Sequence, residues 1–218
     1  MIPLMHKELR LALHPTMLIF LLLSGMLCIP SYPYYVVFFY TAMGVFYTCT
    51  WGRENQDVFY TLMLPVKKTD VVDARFGTVI LFELLQLLVA IPFAVLRQTV
   101  IGAQNPSNPV GMDANLALFA FALLLYAAFN WAFMGVYYRD VRKVGKAFVI
   151  GSIAMFALML VLEMLVHVVP FMRDVLDTPD TAYVGEKLIV LAVCAAVFVL
   201  VNLAALRRAR RNFVKQDL

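Results

Sequence analysis

The feature that most constrains the fold is the arrangement of apolar residues in six long blocks, separated by short polar segments. A helix needs about 20 apolar residues to cross a bilayer, and helices satisfy their own backbone hydrogen bonds in lipid. Of the 218 residues, 63% are hydrophobic and 15% are charged, against about 45–50% and about 25% in soluble domains. Too few polar residues remain to cover a water-exposed surface. The sequence therefore predicts an all-α, polytopic membrane protein that forms one domain over residues 1–218.

An amphipathic segment precedes the first apolar block. Residues 1–15 mix Leu and Met with charged residues and histidines, as is typical of a helix that lies at the membrane surface. The first block is short. The span therefore either includes residues of this interfacial helix or ends before it reaches the far side of the membrane. The six predicted transmembrane helices cover about residues 16–29, 34–51, 71–96, 114–138, 147–169 and 184–206.

Basic residues are distributed very unevenly between the predicted loops. Fifteen of the 18 Lys and Arg residues lie on the side that carries both chain termini, and Arg97, Arg173 and Lys187 lie on the other side. The positive-inside rule then predicts that the N- and C-termini are cytoplasmic. It also predicts that a cysteine at Ser107 can be labelled from outside. The excess of basic groups faces anionic lipid, so nucleic acid is not an expected partner.

The longest charged segment, residues 52–70, lies between the second and third predicted spans. Acidic groups at Glu54 and Asp57 favour the start of a short helix, and Pro65 is expected to stop it. Asp70 is expected to cap the next helix, with Asp73 in its first turn. The apolar positions that one face can hold include Val58, Phe59 and Leu62, and the basic turn holds Lys67 and Lys68. An ordinary cytoplasmic loop remains the alternative interpretation.

Glu83 lies near the middle of the third predicted span, and Glu163 and His167 lie toward the outer end of the fifth. A charge at the bilayer centre costs about 2.5–3.5 kcal/mol, so these groups should face protein or a watery cavity. They could line or gate a translocation path, or they could form interhelical hydrogen bonds. Glu163 and His167 also leave open an intramembrane enzyme, although the sequence has no P-loop, H-E-x-x-H or G-x-S-x-G motif. The three cysteines are not clustered, so no metal site is predicted.

Residues 53–76 read R-E-N-Q-D-V-F-Y-T-L-M-L-P-V-K-K-T-D-V-V-D-A-R-F. This segment, with two spans and a surface helix before it, resembles the permease subunits of ABC-2 type exporters. It is most similar to the small six-span branch that includes phenol-soluble-modulin and bacteriocin exporters. The positions that carry the resemblance are Glu54, Leu64, Pro65, Val66, Lys68, Val71, Val72, Ala74, Arg75 and Phe76.

The resemblance implies a permease in a bacterial cytoplasmic membrane that is driven by a separate cytoplasmic ABC ATPase. It implies a coupling helix between spans two and three, a second permease subunit that is identical or a sister chain, and Mg-ATP in the ATPase partner. No cofactor is expected in this chain. The implied cargo is amphipathic, such as a peptide or an antibiotic-like molecule. The implied ATPase contacts are Glu54, Asp57, Val58, Phe59, Leu62, Pro65, Lys67 and Lys68. The alternatives to an exporter are the intramembrane enzyme and a channel or scaffold subunit.

Overall fold

The computed structural model of the chain describes residues 2–102, 108 and 110–216. Every regular element in these residues is helical. The α-helices are α1 (Ile2–Lys7), α2 (Thr16–Leu22), α3 (Tyr35–Glu54), α4 (Asp57–Leu62), α5 (Lys68–Leu96), α6 (Leu116–Tyr137), α7 (Val144–Val168) and α8 (Val184–Val214). Tighter or wider helical turns extend three of them: a π-helical turn at Glu8–Ala12 after α1, a 3₁₀ helix at Leu23–Cys28 after α2, and a π-helical turn at Arg97–Ile101 after α5. A further π-helical turn covers Met172–Leu176.

Four helices in the described part of the chain are long and apolar enough to cross a membrane. They are α5 with its final turn (Lys68–Ile101), α6, α7 and α8. A fifth candidate is the pair Pro3–Ala12 and Thr16–Cys28, if the two segments are taken together despite a bend of 85° between them. The structure thus confirms an all-helical membrane protein with four to five candidate spans, while six spans remain a prediction.

The predicted second span corresponds to α3, which has 20 residues but does not belong to those candidates. Its sequence includes several Tyr and Thr residues, which make it less hydrophobic than the apolar stretches of α5 to α8. Helix α3 packs against α2, α6 and α7, and Thr41 and Thr48 are buried there. Because much of its surface contacts protein rather than lipid, its composition is less constrained.

Helix α8 extends beyond the predicted sixth span, which ends at residue 206. Its basic segment continues the helix to Val214, because Ala209 and Phe213 are buried against the rest of the protein. Lys and Arg are also good helix formers. The bundle centre is α6, which packs against both α7 and α8. Gly151 of α7 permits a close approach there, since a Cβ would lie 2.9 Å from the Phe129 ring.

The start of α5 differs from the sequence-based prediction. The helix begins at Lys68 after the extended residue Lys67, which makes no side-chain cap. Asp70 therefore lies in the first turn instead of capping the helix, and the prediction for Asp70 was wrong. Asp73 lies one turn further along and forms an ion pair with Arg210 of α8. The prediction that Asp73 lies in the first turn was therefore also wrong, and its long-range partner accounts for the acidic residue at position 73.

Candidate functional site

One end of the bundle, which we call the basic end, carries α1, α4, the turn between α6 and α7, and the last turns of α8. Most of the Lys and Arg residues belong to these elements or to the adjoining ends of α3, α5 and α7. The opposite end carries the turn between α2 and α3 and the segments 97–102, 110–115 and 169–183. The predicted coupling segment therefore lies at the basic end, between the end of α3 and the start of α5.

The centre of the basic end is the guanidinium group of Arg75 in α5, whose side chain is 4% exposed. Its Nε donates to Glu8 Oε2 at 2.8 Å, and its Nη2 donates to Asp57 Oδ2 at 2.5 Å. Its Nη1 donates to the Tyr137 hydroxyl at 3.3 Å. Gly52 lies directly beside it, where a Cβ would be 3.1 Å from Nη1. One buried cation thus connects the N-terminal segment, α4, α5 and the end of α6.

Lys7 adds a second cation to the same network. Its ammonium group forms an ion pair with Asp57, lies 3.2 Å from Glu8 Oε1 and donates to Thr61 Oγ1 at 2.7 Å. The Thr61 hydroxyl in turn donates to the Asp57 carbonyl at 2.6 Å. Two carboxylates therefore face two cations, and α4 is held to the N-terminal segment and α5 by charge-assisted hydrogen bonds.

This attachment determines which side of α4 faces solvent. Val58 and Leu62 pack partly against the core, whereas Phe59 is 45% exposed and Met63 is 65% exposed. Tyr60 and Leu64 are exposed beside them. The apolar residues that sequence analysis placed on one face are thus divided between an inner side and an outer side. The exposed set Phe59, Tyr60, Met63 and Leu64 forms what we call the α4 patch.

The other predicted contact residues surround the α4 patch. Glu54 is the last residue of α3 and forms an exposed ion pair with Arg53 at 3.5 Å. Pro65 follows α4 in an exposed turn, which agrees with its predicted role of stopping the helix. Lys67 is exposed, whereas the Lys68 ammonium group donates to the Gln216 carbonyl at 2.6 Å. Lys68 therefore attaches α5 to the C-terminal end of the described chain.

Glu83 is almost fully buried and forms an interhelical contact. Its Oε2 accepts a hydrogen bond from Asn130 Nδ2 of α6 at 3.0 Å. The same Asn130 nitrogen donates to Asn202 Oδ1 of α8 at 2.9 Å, and Asn202 donates to the Phe198 carbonyl. Of the two interpretations that the sequence leaves open, this geometry favours a structural link between α5, α6 and α8.

Glu163 and His167 lie near the end of α7 at the opposite end of the bundle. The Glu163 carboxylate lies against the backbone of Gly111, where a Cβ would overlap its oxygens, while His167 is exposed. Within residues 2–102, 108 and 110–216, no group of three or more His, Cys, Asp or Glu residues could hold a metal ion. The structure thus places Glu163 beside Gly111, in the segment that precedes α6.

Two buried basic residues at the opposite end were missed by sequence analysis, which counted them as ordinary loop charges. Arg97 donates to the Tyr34 hydroxyl at 2.8 Å and pairs with Asp113 at 3.3 Å. Lys187 donates to the carbonyl groups of Thr178 and Pro179 at 2.6 and 3.0 Å. The available signal for burial was a basic residue next to an apolar helix end. The partners could not be predicted, because they are distant in sequence or lie in irregular segments.

Carboxylates complete the polar contacts at that end. Asp177 Oδ1 accepts from the Asp113 backbone N–H at 2.8 Å, and Asp180 accepts from the Leu116 backbone N–H at the start of α6. Burial raises the pKa of the Asp177 carboxyl, and the hydrogen bond from Asp113 opposes that rise. These contacts join α6 to the segment 169–183, so this end is well packed as well.

The fold and composition define a multi-pass, α-helical membrane protein. Residues 3–205 match the family described as ABC-2 family transporter protein, and the chain belongs to this family. Membership makes it a permease component of an ABC transporter, a class that generally works with an ATPase subunit. No curated protein and no solved structure matches the chain significantly.

Proposed function

We propose that this protein is the membrane subunit of an ATP-driven exporter and that α4 is its coupling helix. In this proposal a separate cytoplasmic ATPase binds Mg-ATP and also binds the α4 patch. A second permease subunit completes the transporter. The basic end faces the cytoplasm of a bacterial cell, and six spans cross its membrane. The cargo is amphipathic, of the peptide or antibiotic-like class.

The observation that carries this proposal is the combination of exposed apolar side chains on α4 with a rigid, buried attachment behind them. Phe59 and Met63 face outward, while Asp57 on the same helix is bound by Arg75 and Lys7. An exposed apolar patch marks a surface that binds protein or membrane, and in this proposal its partner is the ATPase. A helix fixed to α5 and to the N-terminal segment can transmit a displacement to both, whereas a mobile loop would absorb it.

Phe59→Ala should weaken binding of the ATPase about tenfold, because large aromatic side chains dominate protein interfaces. The measurement is the affinity of the purified permease for its ABC ATPase partner, which is sought first among the products of the neighbouring genes. Phe171→Ala is the matched control, since Phe171 is exposed to a similar degree but lies toward the opposite end. Equal affinity of wild type and Phe59→Ala would contradict the assignment of α4, and equal loss in both variants would deny α4 any special role.

The proposed orientation can be tested separately by cysteine labelling in a variant without the three native cysteines. Arg173→Cys should react in intact cells with a membrane-impermeant thiol reagent, and Lys215→Cys should react only after the cells are opened. Both side chains are exposed, so accessibility does not limit the reaction. Ser107, the position singled out by sequence analysis, lies outside the described residues. The reverse labelling pattern would place the basic end outside the cell.

A further inference from the structure

A groove opens at the basic end between α4 and the turn that connects α6 to α7. Its volume is ≈480 Å³. The floor is apolar and includes Val58, Phe59 and Val141, and Tyr137 of the Arg75 network also lines it. Two arginines contribute to the lining from different elements: Arg53 at the end of α3 and Arg142 in the turn between α6 and α7.

The position of the groove relative to the membrane favours a protein occupant over a lipid chain. Trp51 is 44% exposed on α3, and exposed Trp side chains are enriched at the membrane–water interface. The groove starts at Gly52, after Trp51 along α3, and continues through the polar turn at Gln56. Its lining therefore lies on the water side of Trp51, next to the α4 patch.

The charge around the groove is strongly positive. Near Arg142 the turn and the start of α7 carry Arg139, Lys143 and Lys146, all exposed. Asp140 and Glu54 oppose them, and both are already paired, Asp140 with Lys143 at 3.0 Å and Glu54 with Arg53 at 3.5 Å. The contact with Lys143 lowers the pKa of the Asp140 carboxyl. A complementary occupant must carry negative charge beside an apolar group.

We infer that the groove receives a projecting segment of the ATPase, one that carries a large apolar side chain next to an Asp or Glu. The apolar side chain lies on Val58, Phe59 and Val141, and the carboxylate lies between Arg53 and Arg142. This inference rests on the proposed function and adds the chemistry of the partner. Docking is then reciprocal, because α4 enters the ATPase while the ATPase enters the groove beside α4.

The test replaces Arg142 by Glu in permease reconstituted in nanodiscs of phosphatidylcholine, which has no net charge. We expect ATPase affinity to fall about tenfold or more, because the substitution places like charges opposite each other. Lys146→Glu is the matched control: it makes the same change of charge near the start of α7, but Lys146 does not line the groove. Lys146→Glu should lower the affinity for the ATPase less than about threefold, since exposed charges at a distance are screened.

The possible outcomes separate this inference from the proposed function. No loss in Arg142→Glu, or equal losses in both variants, would overturn the groove as a docking site while leaving the role of α4 intact. A loss that appears only in nanodiscs containing anionic lipid would assign the groove to lipid instead and would also overturn the inference. Failure of the wild-type permease to bind the ATPase at all would refute the proposed function itself.

A charge exchange provides a second, positive measurement. Each Asp and Glu that faces the permease side of the ATPase is replaced by Lys, and the variants are combined with Arg142→Glu. At least one combination should recover most of the lost affinity, as expected for a direct pair of charges. If no combination recovers affinity, the carboxylate partner does not exist. Unchanged thermal unfolding of Arg142→Glu would show that the loss does not come from misfolding.

Discussion

Arg75→Met is expected to lower the free energy of unfolding by about 3–5 kcal/mol, the range found when one partner of a buried ion pair is removed. Glu8, whose side chain is 3% exposed, would be left as a buried carboxylate near Lys7 alone. Asp57 would lose its 2.5 Å contact at the same time. The measurement is equilibrium unfolding of the purified permease in mixed micelles.

Arg173→Met provides the matched control for this prediction. Arg173 also pairs with a carboxylate, Asp174 at 2.8 Å, but both side chains are more than half exposed. Solvent-exposed pairs contribute little to stability, so this variant should unfold almost like wild type. Adding Glu8→Gln to Arg75→Met should recover part of the loss, because it removes the unpaired charge. Similar stability of Arg75→Met and Arg173→Met would mean that the network does not hold the basic end together.

Asn130→Leu should lower the free energy of unfolding by about 2–3 kcal/mol, although a single interhelical hydrogen bond usually contributes less. The substitution removes the donor to Glu83 and the donor to Asn202 together. A buried carboxyl group that loses its partner costs more than the hydrogen bond itself contributed. The same unfolding measurement in micelles detects the change.

The double variant Asn130→Leu with Glu83→Leu distinguishes the two roles that the sequence left open for Glu83. If Glu83 is a structural link, removing both partners should restore much of the stability and retain transport, because the buried carboxyl group is gone and only the Asn202 Oδ1 still lacks its donor. Helix association would rest on packing alone. Restored stability with abolished transport would instead show that Glu83 belongs to the translocation path.

The apolar blocks were the strongest signal for helices in the sequence, because a block of about 20 apolar residues suits a helix that crosses a bilayer. The helices α5, α6 and α7 begin and end within a few residues of the predicted spans. The patterns could not predict where α8 ends. Its last turns are basic, as a solvated tail would be, and contacts with α5 and α6 help to hold them against the bundle.

The orientation of α4 was beyond sequence analysis for a different reason. Spacing alone places Val58, Phe59 and Leu62 within one broad helical face, but it does not say which part of that face turns inward. The answer depends on Asp57 binding Arg75 and Lys7, which are 18 and 50 residues away along the chain. Such partners are visible only when the helices have been assembled.

The sharp bend between α1 and α2 has a consequence for the surrounding lipid. Thr16–Leu22 and Leu23–Cys28 together extend roughly 20 Å, whereas a hydrocarbon core measures about 30 Å. The bend of 85° and the anchoring of Glu8 by Arg75 prevent the preceding segment from lengthening this stretch. We therefore expect acyl chains next to α2 to shorten or tilt, at a modest cost in free energy that depends on bilayer thickness.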